Sequence, residues 1–434
     1  MTRATGTNEQ TRIARVSARQ VLDSRGNPTI EAEVETRSGA VARAIVPSGA
    51  STGRHEALEL RDGERRIYRG LGVLRAVANV EGRIGPKIVS FDCRNQEEID
   101  GLMIELDGTK DKSKLGANSI LSVSMAVARA AAASEGEPLY AHLHPMKKYR
   151  LPIPMMNVIN GGKHAGSKLA VQEFLIEPVG AKSMGEAIRF GDDVYHSLRS
   201  ILKKKHGDSS VNVGDEGGFA PSFQTSEQAL DAIADAISAA GLEQRVRLGI
   251  DPAASNFFNE KTSTYRIDGD EYEPDELLDY YVQLAKRYRL LTIEDPFEED
   301  AYASFQAITR KLGSGMLIIG DDLYVTNRER IRKGISLKAT NAVLIKLNQI
   351  GTVTETLEAV RMSRAAGMST IVSHRSGETE DTFISHLATA VESDFIKTGA
   401  PARGERVAKY NELLRIEEEL GDKGYYPGFP QTIR

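Results

Sequence analysis

Six short apolar runs in the second half of the chain each lead into a charged or catalytic type of side chain. Residues 246–250 lead to Asp251, 290–293 to Glu294, 316–320 to Asp321, 342–345 to Lys346, 370–373 to His374 and 395–396 to Lys397. Short apolar runs of this kind read as strands buried on both faces, the signature of a parallel sheet. In a (β/α)₈ barrel of about 250 residues one unit takes roughly 30, and active sites gather where the strands end. The pattern therefore predicts a barrel whose mouth collects three carboxylates, two lysines and a histidine.

The first part of the chain follows a different period. Residues 29–35 alternate apolar and polar, turn at Ser38 and Gly39, and return over 41–46, which predicts an antiparallel meander. A loop of small residues follows at 47–53, then helical patterns to about Glu135. Residues 140–154 carry prolines at 145, 152 and 154 and no clear period, so the domain boundary is placed near 145. Residues 1–145 are read as a small α+β domain and 146–434 as an α/β barrel. The crossover helices carry their own punctuation. Thr225 with Gln228 forms a capping-box pattern, Leu230, Ile233 and Ile237 share a face, and Gly241 stops the helix. Thr352 with Glu355 repeats the device, with Leu357 and Val360 inside and Gly367 at the end.

Composition narrows the functional classes. At 434 residues the chain exceeds the usual size of a single core, in agreement with two domains. A net charge of −5 and a pI near 6.0 argue against a nucleic-acid stripe or a basic membrane surface. The single cysteine, Cys93, excludes an intramolecular disulfide framework, fits a reducing compartment and reads as a small buried hydrophobe. The first twelve residues are polar, lack the apolar core of a secretory signal and read as a frayed tail. The apolar stretch 117–133 is broken by Arg129 and is too short to span a bilayer. A cytoplasmic enzyme is expected.

Asp251, Glu294 and Asp321 are the candidate metal ligands. Hard carboxylates without accompanying Cys or His suit Mg²⁺ rather than Zn²⁺. An acid after a strand also serves to cap the next helix, but three on successive strand ends would repel each other without a cation. Lys346 is open to two readings, an ion pair with Asp321 or, beside Lys397 and a cation, a base of lowered pKa. Glu216, in the glycine-bounded turn 214–218, is a catalytic acid only if it points into the same mouth. Arg375 and Ser376, next to Gly377, suit a phosphate or carboxylate, the alternative being a bridge from Arg375 to Glu378 or Glu380. Two motifs are discounted. Residues 49–53 match a G-x-S-x-G nucleophile elbow but sit in an open loop after Pro47, and His55-Glu56 lacks the second histidine of an HExxH zinc site.

Taken in order, the stretches VLDSRGNPT (21–29), SGASTG (48–53), NGGKHA (160–165), QEF (172–174), GDEGGFAP (214–221), EDP (294–296), GDDL (320–323), IKLNQIG (345–351), SHRSGETED (373–381) and AKYN (408–411) resemble the enolase family over nearly the full chain. The resemblance implies an N-terminal α+β domain and a barrel of the order ββαα(βα)₆. It also implies a lyase that reversibly dehydrates 2-phospho-D-glycerate to phosphoenolpyruvate in glycolysis and gluconeogenesis. Carried over motif by motif, Asp251, Glu294 and Asp321 would hold one Mg²⁺, and Ser51 would help complete a second that arrives with substrate. Lys346 would take the C2 proton to give a Mg-stabilised enolate. Glu216 would protonate the departing C3 hydroxyl, with Glu173 and His374 assisting. Arg375 and Ser376 would bind phosphate, while His164, Gln172, Glu173, Ser373, His374 and Lys397 would line the substrate. A lysine or histidine base with one or two Mg²⁺ ions is the known pattern of this superfamily and not a deduction from these residues. The resemblance further implies a homodimer, with an octamer as the alternative.

The chain departs from the family pattern at Ser167, where Asn is usual, and at Asn256, where Glu is usual; neither is an expected ligand. The loops 47–53 and 160–168 are expected to close over substrate. Two other functions compete: a different acid-substrate enzyme of the same superfamily, and a non-catalytic binding protein on the same fold. The Arg375–Ser376 pair speaks against the first, and the presence of every acid, base and ligand residue against the second.

Overall fold

The computed structural model describes residues 9–49, 53–162 and 169–428. Ser51, His164, Ser167 and the first eight residues lie outside these, and with them the expectations of a second-cation ligand, a substrate contact and a loop departure. The frayed tail expected over residues 1–12 is corrected at its end, where Glu9–Thr11 form a short turn with Thr11 buried and Arg12 bridges to Asp92.

Strands β1 (Ile13–Leu22), β2 (Pro28–Thr36) and β3 (Val41–Ile45) form an antiparallel sheet in the order β1-β2-β3. The meander of β2 and β3 follows the predicted alternation. β1 was not anticipated, because its core-facing positions are interleaved with arginines. Those arginines have a partner: Arg15, Arg19 and Arg43 surround the buried Glu33 at 3.0, 3.2 and 2.6 Å. On the opposite face Ile30, Ala32 and Val34 are buried against the helix Ala117–Glu135, whose alanines and serines let the sheet come close. Arg129 leaves that helix to grip Asp381 of the barrel domain with two bonds of 2.6 and 2.9 Å.

The second domain begins with β4 (Tyr149–Arg150), then β5 (Ile153–Asn160), β6 (Glu173–Glu177) and β7 (Arg247–Asp251). A small antiparallel sheet, β8 (Phe258–Asn259), β9 (Thr264–Ile267) and β10 (Asp270–Tyr272), is inserted before β11 (Thr292–Glu294), β12 (Leu317–Gly320), β13 (Ala342–Ile345), β14 (Ser369–Ser373) and β15 (Phe395–Lys397). The short β16 (Gly424–Tyr425) returns to pair with β4. β5 to β7 and β11 to β15 close into an eight-stranded barrel. Every neighbouring pair is parallel except those made by β6, which runs against both β5 and β7. Two helices, Met184–His206 and Ser226–Ala239, follow β6 before the βα alternation begins, which gives the ββαα(βα)₆ order.

The predicted punctuation is present with one change. Thr225 and Gln228 form a reciprocal capping box at Ser226–Ala239. At Val353–Ala365 the Thr352 side chain accepts from the Glu355 N–H, but the Glu355 carboxylate takes the Thr352 hydroxyl and Lys112 instead of the cap backbone. Inside the barrel Met155, Leu175, Leu317, Ile319, Leu344, Ile371 and Phe395 fill the lower layers, so the open space lies only at the mouth. Cys93 is fully buried, and burial pushes its thiol up to about 12, as an inert filler requires. Among the described residues no helix is long and apolar enough to cross a membrane.

Candidate active site

The reversal of β6 decides which of its ends matters. Glu173, at its start, stands opposite Asp251 and Asn160 at the mouth, while Glu177 lies at the closed end beside Arg247. The mouth thus gathers Glu173 from β6, Asp251 from β7, Glu294 from β11, Asp321 after β12, Lys346 after β13, His374 after β14 and Lys397 from β15. A small cavity of about 30 Å³ is lined by most of these, with Gln172, Glu216, Ser373, Arg375 and Ser376.

Lys397 is the centre of charge. Its ammonium lies 2.8 Å from Glu294, 2.9 Å from Asp251 and 3.1 Å from Glu173. Burial works against its charge, yet these carboxylates hold its pKa well above the usual lysine value. Burial and the neighbouring acids likewise raise Glu173 and Glu294 well above the carboxylate range, against the pull of Lys397. The repulsion expected among the strand-end acids is thus relieved here by a lysine.

Asp321 is held apart from that group. Its Oδ2 takes Lys346, and its Oδ1 accepts from Gln349 Nε2 at 2.9 Å. The ion-pair reading of Lys346 is therefore the one observed. Burial lowers the Lys346 pKa, but Asp321 outweighs it, and the net direction is upward. Asp321 in turn sits below the carboxylate range, because Lys346 overrides its burial.

The acid oxygens that approach one another within 4.8 Å are those of Asp295, Asp321 and Asp322, and not the set Asp251, Glu294 and Asp321. Asp295 was not singled out from the sequence. It adopts φ 40°, a strained conformation for a non-glycine, and its carboxylate accepts the backbone N–H groups of Asp321 and Asp322 at 2.9 and 2.7 Å. Burial and the adjacent acids push Asp322 up to about 7 and Asp295 well above its range. The acid doublets at 294–295 and 321–322 were the available signal.

Across the mouth, Glu216 is buried in the turn 214–218 and faces inward, as its candidacy required. It accepts from Asn157 Nδ2 at 3.0 Å and lies 3.3 Å from His374 Nε2. Burial, with Arg406 against and Glu216 in favour of the charged form, depresses His374 to about 4. Arg375 is paired with neither Glu378 nor Glu380. It holds Glu56 through two bonds of 2.9 and 3.0 Å and Asn348 at 2.9 Å, while Glu378 accepts its backbone N–H. Ser373 is buried and donates to the His374 carbonyl at 3.0 Å. Gln172 accepts from Asn256 at 3.4 Å, so the departure at 256 touches an expected substrate contact.

The donor set fits a divalent hard cation. Six carboxylates line the cavity against two lysines and one arginine, all oxygen ligands are of the kind Mg²⁺ prefers, and the surplus is negative. The cavity lining thus holds a lysine that can act as a base once deprotonated, carboxyl groups that can act as acids, and oxygen ligands for a cation.

A family model described as "Enolase, N-terminal domain" matches residues 13–143, and "Enolase, C-terminal TIM barrel domain" matches 148–433. The chain is 54% identical to the enolase of Methanocaldococcus jannaschii over 418 residues, 96% of this chain and 98% of that one. It is 55% identical to the enolase of Methanosarcina acetivorans and 54% to that of Methanosarcina barkeri, each over 416 residues and 96% of both chains. With the reversed second strand and the acid-lined mouth, these matches identify the chain as a member of the enolase family.

Proposed function

We propose that the chain catalyses the reversible dehydration of 2-phospho-D-glycerate to phosphoenolpyruvate, with the division between its two domains near residue 145. What supports this reading is that Lys346, Glu216, Arg375 and Ser376 line one cavity in a chain of the enolase family. Lys346, as the neutral amine after its own proton has gone to solvent, takes the C2 proton. Glu216, aided by Glu173 and His374, gives a proton to the C3 hydroxyl as it leaves. Arg375 and Ser376 fix the phosphate, and Gln172, Ser373, Lys397 and His164 surround the rest of the substrate.

Asp251, Glu294 and Asp321 would hold one Mg²⁺, with Ser51 completing a second site that fills with substrate. Bound there, Mg²⁺ supplies positive charge against the carboxylate on which negative charge develops, and competes with Lys346 and Lys397 for the acids. Removing a proton next to a carboxylate is difficult because that charge has nowhere else to go. Lys397, already buried among acids, offers a second fixed cation on the same side. A homodimer in the cytoplasm completes the reading, supported by the single buried thiol and the family resemblance.

The direct test is formation of phosphoenolpyruvate from 2-phospho-D-glycerate, followed by its ultraviolet absorbance with Mg²⁺ and with EDTA. Absorbance rising only with Mg²⁺ supports the reading. No rise with Mg²⁺ overturns it.

A further inference from the structure

Arg406, on the helix Gly404–Leu420, is completely buried, and among the described residues its one ion pair is a loose one, with Glu405 at 3.6 Å from its Nε. An enclosed guanidinium is expensive, and an apolar side chain of similar volume would serve packing alone better. Its four bonds explain its presence. Nη1 reaches His374 Nδ1 at 2.6 Å and the Arg375 carbonyl at 2.7 Å. Nη2 donates to the carbonyls of Asp215 at 3.0 Å and Ser376 at 2.5 Å. The backbone leaves room for it at Gly399, where φ is 81° and a Cβ would come within 2.8 Å of both Arg406 Cδ and the Glu216 carbonyl.

A guanidinium has donors only and keeps its charge, so His374 Nδ1 facing it must be an acceptor. The proton of a neutral His374 then sits on Nε2, the nitrogen 3.3 Å from Glu216. The same guanidinium ties the turn that carries Glu216 to the loop that carries Arg375 and Ser376. Taking the dehydration reading as given, we propose that Arg406 is a positioning residue that sets the tautomer of His374 and the placement of Glu216, and so governs loss of the C3 hydroxyl more than removal of the C2 proton.

Two measurements test this. In ¹⁵N-histidine-labelled wild-type protein at pH 7, with the His374 signals assigned by their loss in His374→Gln, we expect a neutral ring protonated at Nε2. An Nδ1-protonated ring or an imidazolium overturns the proposal, and this result needs no Arg406 variant to fold. In Arg406→Lys, corrected for folded protein, phosphoenolpyruvate formation should fall by about 10–100-fold, the scale of a misplaced catalytic group. Exchange of the C2 hydrogen with deuterated solvent should fall by less than threefold, by the same measure of misplacement confined to one wall. Equal loss of both rates, or loss of neither, overturns it, since a merely structural role scales both together. Wild-type protein without either activity would instead refute the dehydration reading itself.

Discussion

Arg375 and Glu56 hold each other through two hydrogen bonds across 319 positions of sequence, joining the barrel mouth to the segment that follows the first sheet. The pair is nearly inaccessible to solvent, and Glu56 also accepts the Gly53 N–H at 3.0 Å. A phosphate bound at Arg375, as proposed above, would compete with Glu56 for the guanidinium.

Glu56→Gln should make anion binding easier. The substitution leaves Arg375 buried with less compensation, a state that a phosphate relieves. The dissociation constant of inorganic phosphate, measured by calorimetric titration, should fall by about tenfold, corresponding to 1.4 kcal/mol. Unchanged affinity would show that Glu56 does not compete for the arginine.

Glu177 gives a pH signature that is independent of the active site. Its carboxylate is buried at the closed end of the barrel, where among the described residues it accepts from the Thr292 hydroxyl at 2.6 Å and has no ion pair. Burial raises its pKa from 4.5 to about 8, against the opposing Thr292 bond. Because the folded value is raised, its contribution to stability is fully present below about pH 4.5 and is lost as pH rises through about 8. Glu177→Gln stays neutral throughout and should remove the loss. Urea unfolding at pH 5 and pH 8 should show the variant gaining on the wild type by up to about 1 kcal/mol per pH unit. Parallel pH profiles would contradict the account.

Metal dependence follows from the charge imbalance of the mouth. Mg²⁺ binding to the native state alone should raise the melting temperature in proportion to the logarithm of its concentration, and EDTA should reverse this. Ala at Asp251, Glu294 or Asp321 should abolish phosphoenolpyruvate formation and flatten the melting response. Retention of both in Asp321→Ala would remove it from the ligand set.

Six of the seven parallel barrel strands, β7 and β11 to β15, were legible because burial on both faces writes an apolar run, and the polar residue that ends each run marks the mouth; β5, interrupted by Pro154 and Asn157, was not read. β6 was legible only through the family resemblance, since strand direction leaves no trace in three apolar residues between two glutamates. β1 was hidden because Arg15 and Arg19 interrupt its apolar period, and their partner Glu33 lies on the next strand. Glu56 and Arg406 escaped for a related reason. Each acts on a site residue through the fold, and Arg406 follows Glu405 in an ordinary helical context that leaves no mark in the sequence. Lys397 was read as a substrate contact, and its second role as counter-charge to three acids needs distances that spacing cannot supply.

The assignment of base and acid is the central claim, and solvent exchange at C2 of 2-phospho-D-glycerate tests it most directly. Glu216→Gln and Lys346→Ala are compared in deuterated buffer with Mg²⁺, each group contributing on the order of 10²–10⁴ to its own step. Glu216→Gln should still exchange the C2 hydrogen while forming almost no phosphoenolpyruvate, and Lys346→Ala should lose both. Exchange that survives in Lys346→Ala and disappears in Glu216→Gln would reverse the two roles and contradict the account.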